Sequence, residues 1–424
     1  MVAGMSTGAA RVSLVIILLP WLALCSAAPV QAATFGASDQ QNFAQIERGR
    51  YLTRVADCAA CHAGVDHTPF AGGRPIETPF GMLQASNITP DGATGIGSWS
   101  DAQFDAAMRA GRMPDGSRLY PAMPYAYYTK MSRADVLAIR AYLNTVPPVH
   151  HEVESNQLPF PYRMRSLMAI WDALYFKEGE FREDPSKSPA WNRGAYLVEG
   201  AGHCGACHTP KTSLGGDELK HAYQGYALQG WFAPDITDNE EMGLGRWSPT
   251  DVVEYLKRGH NKYSAASGPM GEEVVDSSSR WTEPDLQAIA EYLKGLAAQQ
   301  ETAHPLAAGD PVMTAGAAIY WDACSACHKA DGSGIPYLFP DIAHAPSVAS
   351  REPTTLIRVV LQGAETAATD EEPTGPQMPA FGWQLTDAQV AAVVTYIRNS
   401  WSHAAPAVSE REVRAARASL ASTR

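Results

Sequence analysis

Three pentapeptides of the form Cys-x-x-Cys-His stand out in the 424-residue chain: Cys58-Ala-Ala-Cys61-His62, Cys204-Gly-Ala-Cys207-His208 and Cys324-Ser-Ala-Cys327-His328. Two thiols three positions apart can each add to a vinyl group of one porphyrin, and the adjoining imidazole is then placed to ligate the iron from one face. The spacing therefore predicts three covalently bound haem c groups. Cys58, Cys61, Cys204, Cys207, Cys324 and Cys327 would anchor them, with His62, His208 and His328 as proximal ligands. A zinc half-site and a redox dithiol also use Cys-x-x-Cys. Zinc fits poorly because no second Cys pair lies near any motif to complete four ligands, and a dithiol needs no following His, whereas His follows each time. Six of the seven cysteines are used in this way. The seventh, Cys25, lies near the N-terminus, so no thiol remains for a structural disulfide.

An iron held by His on one face needs a group on the other, and Met is expected where the task is electron transfer at raised potential. Met123 in Tyr120-Pro121-Ala122-Met123-Pro124, Met270 in Gly268-Pro269-Met270-Gly271 and Met378 in Gln377-Met378-Pro379 follow the His of their own copy by 61, 62 and 50 residues. Each adjoins a Pro, which stiffens the backbone that presents a weak thioether ligand. Core filling is the ordinary role of the other methionines. Met378 has no rival after His328, Met270 competes with Met242, and Met123 competes with Met82, Met108, Met113 and Met131. His67, His203, His221, His260 and His344 read as surface groups or neighbours of the ligands, and bis-His ligation stays a minor alternative. Trp99 and Trp247, at matched positions after Gly-rich turns, read either as packing residues or as groups set against a haem.

The elements that position these groups recur with them. Each copy opens on a helical segment, Arg48-Gly49-Arg50-Tyr51-Leu52, Arg193-Gly194-Ala195-Tyr196-Leu197 and Ala315-Gly316-Ala317-Ala318-Ile319-Tyr320. Each closes on another, from Ser132 to Leu143, Thr282 to Leu293 and Thr386 to Ile397. Ser or Thr leads each closing segment as an N-cap, with Asp or Gln three residues on, and apolar residues such as Val136, Ile139 and Leu143 recur at helical spacing. Copies one and two also share Asn87-Ile88-Thr89 with Gly95–Ser100, matching Asp235-Ile236-Thr237 with Gly243–Ser248, a block that copy three lacks. The repeat predicts a mainly α fold of three tandem domains, over residues 33–146, 188–297 and 311–402, each wrapped around one covalent haem. A linker over 147–187, a second over 298–310 and a tail helix over 403–424 complete the chain. Domains of this size bury little core unaided, and a porphyrin would supply much of the missing apolar interior.

A lone Arg11 precedes an apolar run from Val12 to Leu24, and small residues follow at Val30-Gln31-Ala32 and Gln31-Ala32-Ala33. This pattern predicts a secretory signal peptide over residues 1–32 and a mature chain starting at Ala33 or Thr34. A lipoprotein site at Cys25 is the weaker alternative, because bulky Leu24 stands where a small residue is needed. Export to the periplasmic side agrees with haem c, which is attached outside the bacterial cytoplasm. After the leader no run reaches the roughly 18 apolar residues that span a bilayer, so any membrane contact is expected to be peripheral. Residues 1–32 carry only Arg11, so their removal takes the net charge from −12 to −13 and leaves nucleic-acid binding without electrostatic support.

Longer segments carry a resemblance. Pro69-Phe70-Ala71-Gly72-Gly73, Thr78-Pro79-Phe80-Gly81, Asn87-Ile88-Thr89-Pro90-Asp91, Leu119–Tyr125, Trp191–Gly200 and Met378–Trp383 resemble the cytochrome c subunit of the membrane-bound dehydrogenases of acetic acid bacteria and their relatives. Alcohol, gluconate and fructose are among their substrates. The resemblance covers nearly the whole mature chain. It implies three class I cytochrome c domains and a separate large subunit that carries pyrroloquinoline quinone or flavin and oxidises the substrate. It also implies electron delivery to ubiquinone in the cytoplasmic membrane, with Met123, Met270 and Met378 as distal ligands. Independently, three haem modules leave no room for a substrate-oxidising domain. A freely diffusing carrier to an oxidase, a peroxidase with an open iron position, and the cytochrome subunit of a molybdenum aldehyde dehydrogenase are the competing readings. Arg163 to Phe176 reads as an amphipathic helix with Met164, Leu167, Met168, Trp171 and Tyr175 on one stripe, suited to interdomain packing or to partner or membrane contact. The tail, with Arg411, Arg414, Arg417 and Arg424, reads as a mildly basic helix, either solvated or resting on anionic headgroups.

Overall fold

Each copy of the repeat folds around a crossed pair of helices. The computed structural model describes residues 37–299 and 304–422, so the expected leader and Cys25 lie outside the described residues. The first module comprises α1 (Ala37–Val55), α2 (Cys58–His62), the hairpin β1 (Pro75–Thr78) and β2 (Gly81–Gln84), α3 (Asp101–Ala110), α4 (Tyr125–Tyr128) and α5 (Arg133–Leu143). α6 (Met168–Tyr175) follows in the linker. The second module has α7 (Pro189–Tyr196), α8 (Gly205–His208), β3 (Gln224–Leu228), β4 (Trp231–Asp235), α9 (Pro249–Arg258), α10 (Pro269–Asp276) and α11 (Glu283–Lys294). The third has α12 (Pro311–Ala323), α13 (Ser325–His328), α14 (Pro346–Ala349), α15 (Thr354–Gln362), β5 (Ala364–Glu365), β6 (Gln377–Met378) and α16 (Asp387–Ile397), and α17 (Glu410–Ser422) ends the chain. The fold is mainly α, as expected. The antiparallel hairpins β1–β2, β3–β4 and β5–β6 are additions that the helical repeat did not announce.

A glycine sets each crossing. A Cβ added at Gly49 would lie 1.8 Å from the Ala138 carbonyl oxygen, one at Gly194 2.0 Å from that of Ala288, and one at Gly316 2.2 Å from that of Ala392. The opening and closing helices therefore touch backbone to backbone at the same register in all three modules: α1 on α5, α7 on α11 and α12 on α16.

The caps of the closing helices differ in an informative way. Ser132 accepts from the Asp135 amide, and Thr386 forms a full capping box with Gln389. The Thr282 side chain makes no capping bond, contrary to expectation. Its own amide donates instead to the Tyr51 hydroxyl of the first module at 3.3 Å, and reciprocally the Ser132 amide donates to the Tyr196 hydroxyl of the second at 3.1 Å. Each of these tyrosines then donates across the interface to a buried carboxylate, Tyr51 to Asp285 at 2.5 Å and Tyr196 to Asp135 at 2.6 Å. The same carboxylates pair within their own modules with Arg193 and Arg48.

The first two modules are thus joined by a two-way exchange, and their interiors merge. One apolar cluster contains Leu52, Val136 and Ile139 of the first together with Leu197, Leu286 and Ile289 of the second. The third module has a separate core around Tyr320, Ile357, Val390 and Val394. It meets the second through Thr355 Oγ1, which accepts from the Phe232 amide at 2.8 Å, and through Arg358 stacked over Trp231. α17 buries Val413 against the third core, and Arg417 donates to Asp387 at 2.7 Å and to the Leu385 carbonyl at 2.9 Å. The tail helix is therefore packed onto the protein, with Arg417 committed there.

Candidate haem-binding sites

α2 starts almost directly after α1 because Asp57 takes a left-handed conformation, φ 46°, which turns the chain within one residue. His203 does the same before the second motif, φ 34°. Within each motif the spacings of three and four residues put both thiols and the imidazole on one side of a single helical turn.

The three imidazoles are oriented alike. His62 Nδ1 lies 2.6 Å from the Ser86 carbonyl, His208 Nδ1 2.7 Å from that of Pro234, and His328 Nδ1 3.2 Å from that of Pro340. With Nδ1–H donating to a carbonyl, the tautomer and ring direction are fixed and the Nε2 lone pair is left for a metal. Burial lowers the proton affinity of all three rings, against the opposing pull of the carbonyls, and so favours the neutral, ligating form. Ser86 lies just past β2 and Pro234 lies in β4, so these hairpins hold the carbonyls that aim His62 and His208.

Burial pushes the thiols of Cys58 and Cys204 up to about 12 and that of Cys324 up to about 11. Reactive dithiols have lowered, not raised, thiol pKa values, so the environment argues against the redox-dithiol reading and suits thiols that serve as attachment points.

The three methionines occupy different backbone settings. Met123 sits in a turn whose amide donates to Tyr120 and whose carbonyl accepts from Tyr125 at 2.7 Å. Met270 is in the first turn of α10 behind Pro269, and Met378 lies in β6 opposite Ala364. All three are half-buried. Met123 packs on the shared core, Met378 on the third core, and Met270 beside Ala266, Val274 and the third module's Ala367. The rivals Met108 and Met131 are fully buried in the first module's interior.

A haem also brings carboxylates that need donors. Trp247 Nε1 is buried without a hydrogen-bond partner, an orphaned donor of the kind a propionate would satisfy. Trp99, at the matched position, packs half-buried against the core, and its carbonyl accepts from Arg140. The donor sets and this orphan fit covalently held haem.

Several residues that motif reading passed over tie the first two sites together. Arg74 donates to the Ala60 carbonyl inside the first motif at 2.7 Å and to Glu272 on α10, the Met270 helix, at 2.9 Å. Lys211 donates to the Gly205 carbonyl inside the second motif at 2.9 Å and to Asp217, which also accepts from Tyr127 on α4, just after Met123. Each module's methionine-bearing segment thus rests on the other module's Cys-x-x-Cys-His turn. His203 packs on Tyr128 of the first module, and His260 lies buried beside Tyr337 of the third, so both are interface residues. No spacing rule could have found these contacts, because their partners are far apart in sequence.

A family model for cytochrome c matches residues 46–147 and 313–401, which take in the first and third modules. The chain is 41% identical over 392 residues to the gluconate 2-dehydrogenase cytochrome c subunit of Pantoea cypripedii, covering 88% of this chain and 89% of that one. It is 37% identical over 384 residues to the cytochrome c subunit of alcohol dehydrogenase (quinone) of Gluconacetobacter polyoxogenes, covering 86% and 82%. It is 40% identical over 402 residues to a nicotinate dehydrogenase subunit of Pseudomonas putida, covering 92% of this chain but 32% of that longer protein.

Proposed function

Because this chain belongs to the family of dehydrogenase cytochrome c subunits, we propose that it holds three haems c and relays electrons from a separate catalytic subunit to ubiquinone at the periplasmic face of the cytoplasmic membrane. The observation that carries the reading is the threefold recurrence of a Cys-x-x-Cys-His turn whose imidazole is pinned by Nδ1 to a loop carbonyl. Cys58 and Cys61, Cys204 and Cys207, and Cys324 and Cys327 would hold the porphyrins, and His62, His208 and His328 would ligate iron through Nε2. Met123, Met270 and Met378 are the distal ligands in this reading, supported for Met123 by the burial of Met108 and Met131 in the core. Trp247 Nε1 would donate to a propionate. Bound haem would supply one-electron chemistry at iron, which suits a chain that takes up singly the two electrons a catalytic subunit has removed from an alcohol or sugar acid.

The residues of the chain do the rest. The half-buried imidazoles and methionines would hold the iron and limit water's access to it, and the Arg74 and Lys211 bridges fix the first two sites relative to each other. The catalytic subunit would carry pyrroloquinoline quinone or flavin and oxidise an alcohol or sugar acid. The similarity to a nicotinate dehydrogenase subunit favours, as a second reading, a partner that oxidises nicotinate or a related aromatic acid. Intact mass of the purified mature chain should exceed the polypeptide mass by three porphyrins, and a Cys-to-Ala pair in one motif should remove one of them. A mass equal to the bare polypeptide overturns the reading. The identity of the catalytic subunit that co-purifies separates the two partner readings, and reduction of a short-chain ubiquinone by the purified complex tests the acceptor.

A further inference from the structure

The three methionine-bearing segments are held in different ways, and Met270 is the one whose hold reaches into another module's haem motif. Met123 lies in a turn closed by its own backbone, its amide donating to Tyr120 at 3.0 Å and its carbonyl accepting from Tyr125 at 2.7 Å. Met378 is paired with Ala364 across the β5–β6 hairpin of its own module. Met270 sits in the first turn of α10, where helix amides have no partner within the helix, and its N-cap is Gly268, which has no side chain to supply one. The apolar packing there is also thin. Met123 rests on the shared core and Met378 on the third core, whereas the buried residues packed with Met270 are Ala266, Val274 and the third module's Ala367. Two alanines and a valine offer few contacts to fix a flexible thioether chain.

Two polar or steric constraints remain at that end of α10. Gly268, φ 59°, lies so close to Trp231 of β4 that a Cβ there would come within 2.5 Å of the indole. Glu272, two residues past Met270, takes Nη2 of Arg74 from the first module at 2.9 Å. The same guanidinium donates through Nη1, at 2.7 Å, to the carbonyl of Ala60, which stands between Cys58 and Cys61. One planar cation thus spans the first haem-attachment turn and the helix that carries the second module's methionine, a two-nitrogen reach that a fixed fork provides. Lys211 makes the opposite link, from the second motif to Asp217 and so to Tyr127 of α4. Met123 lies outside α4, in the turn that closes itself, so that link does not carry its methionine.

We propose that Arg74 is a positioning residue for Met270: acting through Glu272, it sets how firmly the second haem keeps its distal ligand, so that the first module governs ligation at the second module's iron. The proposal rests on the reading of Met270 as a distal ligand. Met ligation raises a haem's potential, so this contact bears on how readily the second haem takes an electron.

The test uses the full-length mature holoprotein. Added imidazole displaces methionine from ferric haem and removes the weak red absorption band of the Met–iron bond, so a titration reads how tightly each methionine is held. The ion pair is 41% and 60% exposed, and loss of a pair in that setting shifts an equilibrium by about 3- to 5-fold. R74Q should therefore lower by about that factor the imidazole concentration that removes about a third of the band, leaving the rest of the titration where it was. E272Q should do the same, R74Q/E272Q should do no more than either, and R74K should recover part of the effect. Unchanged haem content and melting temperature establish that the variants are folded. M270A should lack about a third of the band from the start, and R74Q/M270A should then titrate like M270A. An R74Q titration identical to the parent's overturns the proposal, as does an R74Q effect that persists in the M270A background, which would place it on another haem. Both of those results leave Met270 as a ligand. A full band in M270A overturns the ligand reading itself and the proposal with it.

Discussion

Asp57, the residue before the first haem motif, buries a carboxyl whose Oδ1 has no hydrogen-bond partner. Burial pushes it up to about 9, with help from the charges of Glu273 and Asp276 in the second module and against the weaker pull of Arg74. Burial likewise pushes Glu273 up to about 7, opposed by the hydroxyls of Ser278 and Ser277. The folded protein therefore keeps protons that an unfolded chain releases near pH 4. With folded pKa values above unfolded ones, the stability from these groups is full below about pH 4 and is lost as pH rises through 7 and then 9. The melting temperature of the holoprotein should fall between pH 5 and pH 9, and D57N/E273Q should flatten that fall. An unchanged slope in thermal melts would show that the carboxyls are neutralised by another route. At this scale the sequence is legible where chemistry demands fixed spacing. Cys58, Cys61 and His62 stand out because their order is the one that attachment of a porphyrin would require, and the structure adds the carbonyl that orients the ring. Asp57 and Glu273 are silent because 216 positions separate them in the chain and no local rule links them.

At the level of helices, the repeat was readable and its exceptions were the useful part. The Arg-Gly-x-Tyr pattern occurs at Arg48–Tyr51 and Arg193–Tyr196, but copy three reads Ala315-Gly316-Ala317-Ala318 and replaces Asp135 and Asp285 by Gln389. The absent arginine, tyrosine and aspartate belong to one device, the exchange in which each tyrosine caps the other module's closing helix and donates to its carboxylate. The glycine alone persists in all three copies, because the crossing of two helices needs it irrespective of neighbours. A hydrogen bond to a charged carboxylate contributes about 1.5–3 kcal/mol when lost from a protected site, and less here because the rings are half-exposed. Y51F and Y196F should each destabilise the first two modules by about 1 kcal/mol in denaturant titrations and speed amide exchange at Thr282 and Ser132 respectively. The melting of the third module, which lacks the device, should not move. G316A sets the opposite control. Its Cβ would meet the Ala392 carbonyl at 2.2 Å, so the third module alone should lose about 1–3 kcal/mol or more. G92A, whose Cβ meets nothing within 4 Å, should change stability by under about 0.5 kcal/mol.

Over the whole chain, equal repeats suggest three equivalent beads, and the packing groups them as two plus one. The first and second modules merge their cores, trade helix caps and rest each motif on the other's methionine segment, while the third keeps its own core and touches the second mainly through β3–β4 and the loop at Ala367. Sequence periodicity could not show this grouping, since burial at an interface and burial in a core leave the same apolar signature. The grouping has a thermodynamic consequence. Cutting within a shared core exposes apolar surface that neither half can cover, whereas cutting between separate cores exposes little. A chain ending at residue 299 should therefore be exported, retain two haems and unfold in one cooperative transition, because it keeps the merged core and both tyrosine exchanges intact. A chain of residues 188–297 alone should fail to accumulate with haem, because Leu197, Leu286 and the second motif would lose the first-module side chains that cover them. Haem counting and calorimetry on the two truncations decide the matter. If the isolated second module folds and holds its haem as well as the two-module piece does, the merged core is an ordinary contact between independent domains, and the two-plus-one organisation fails with it.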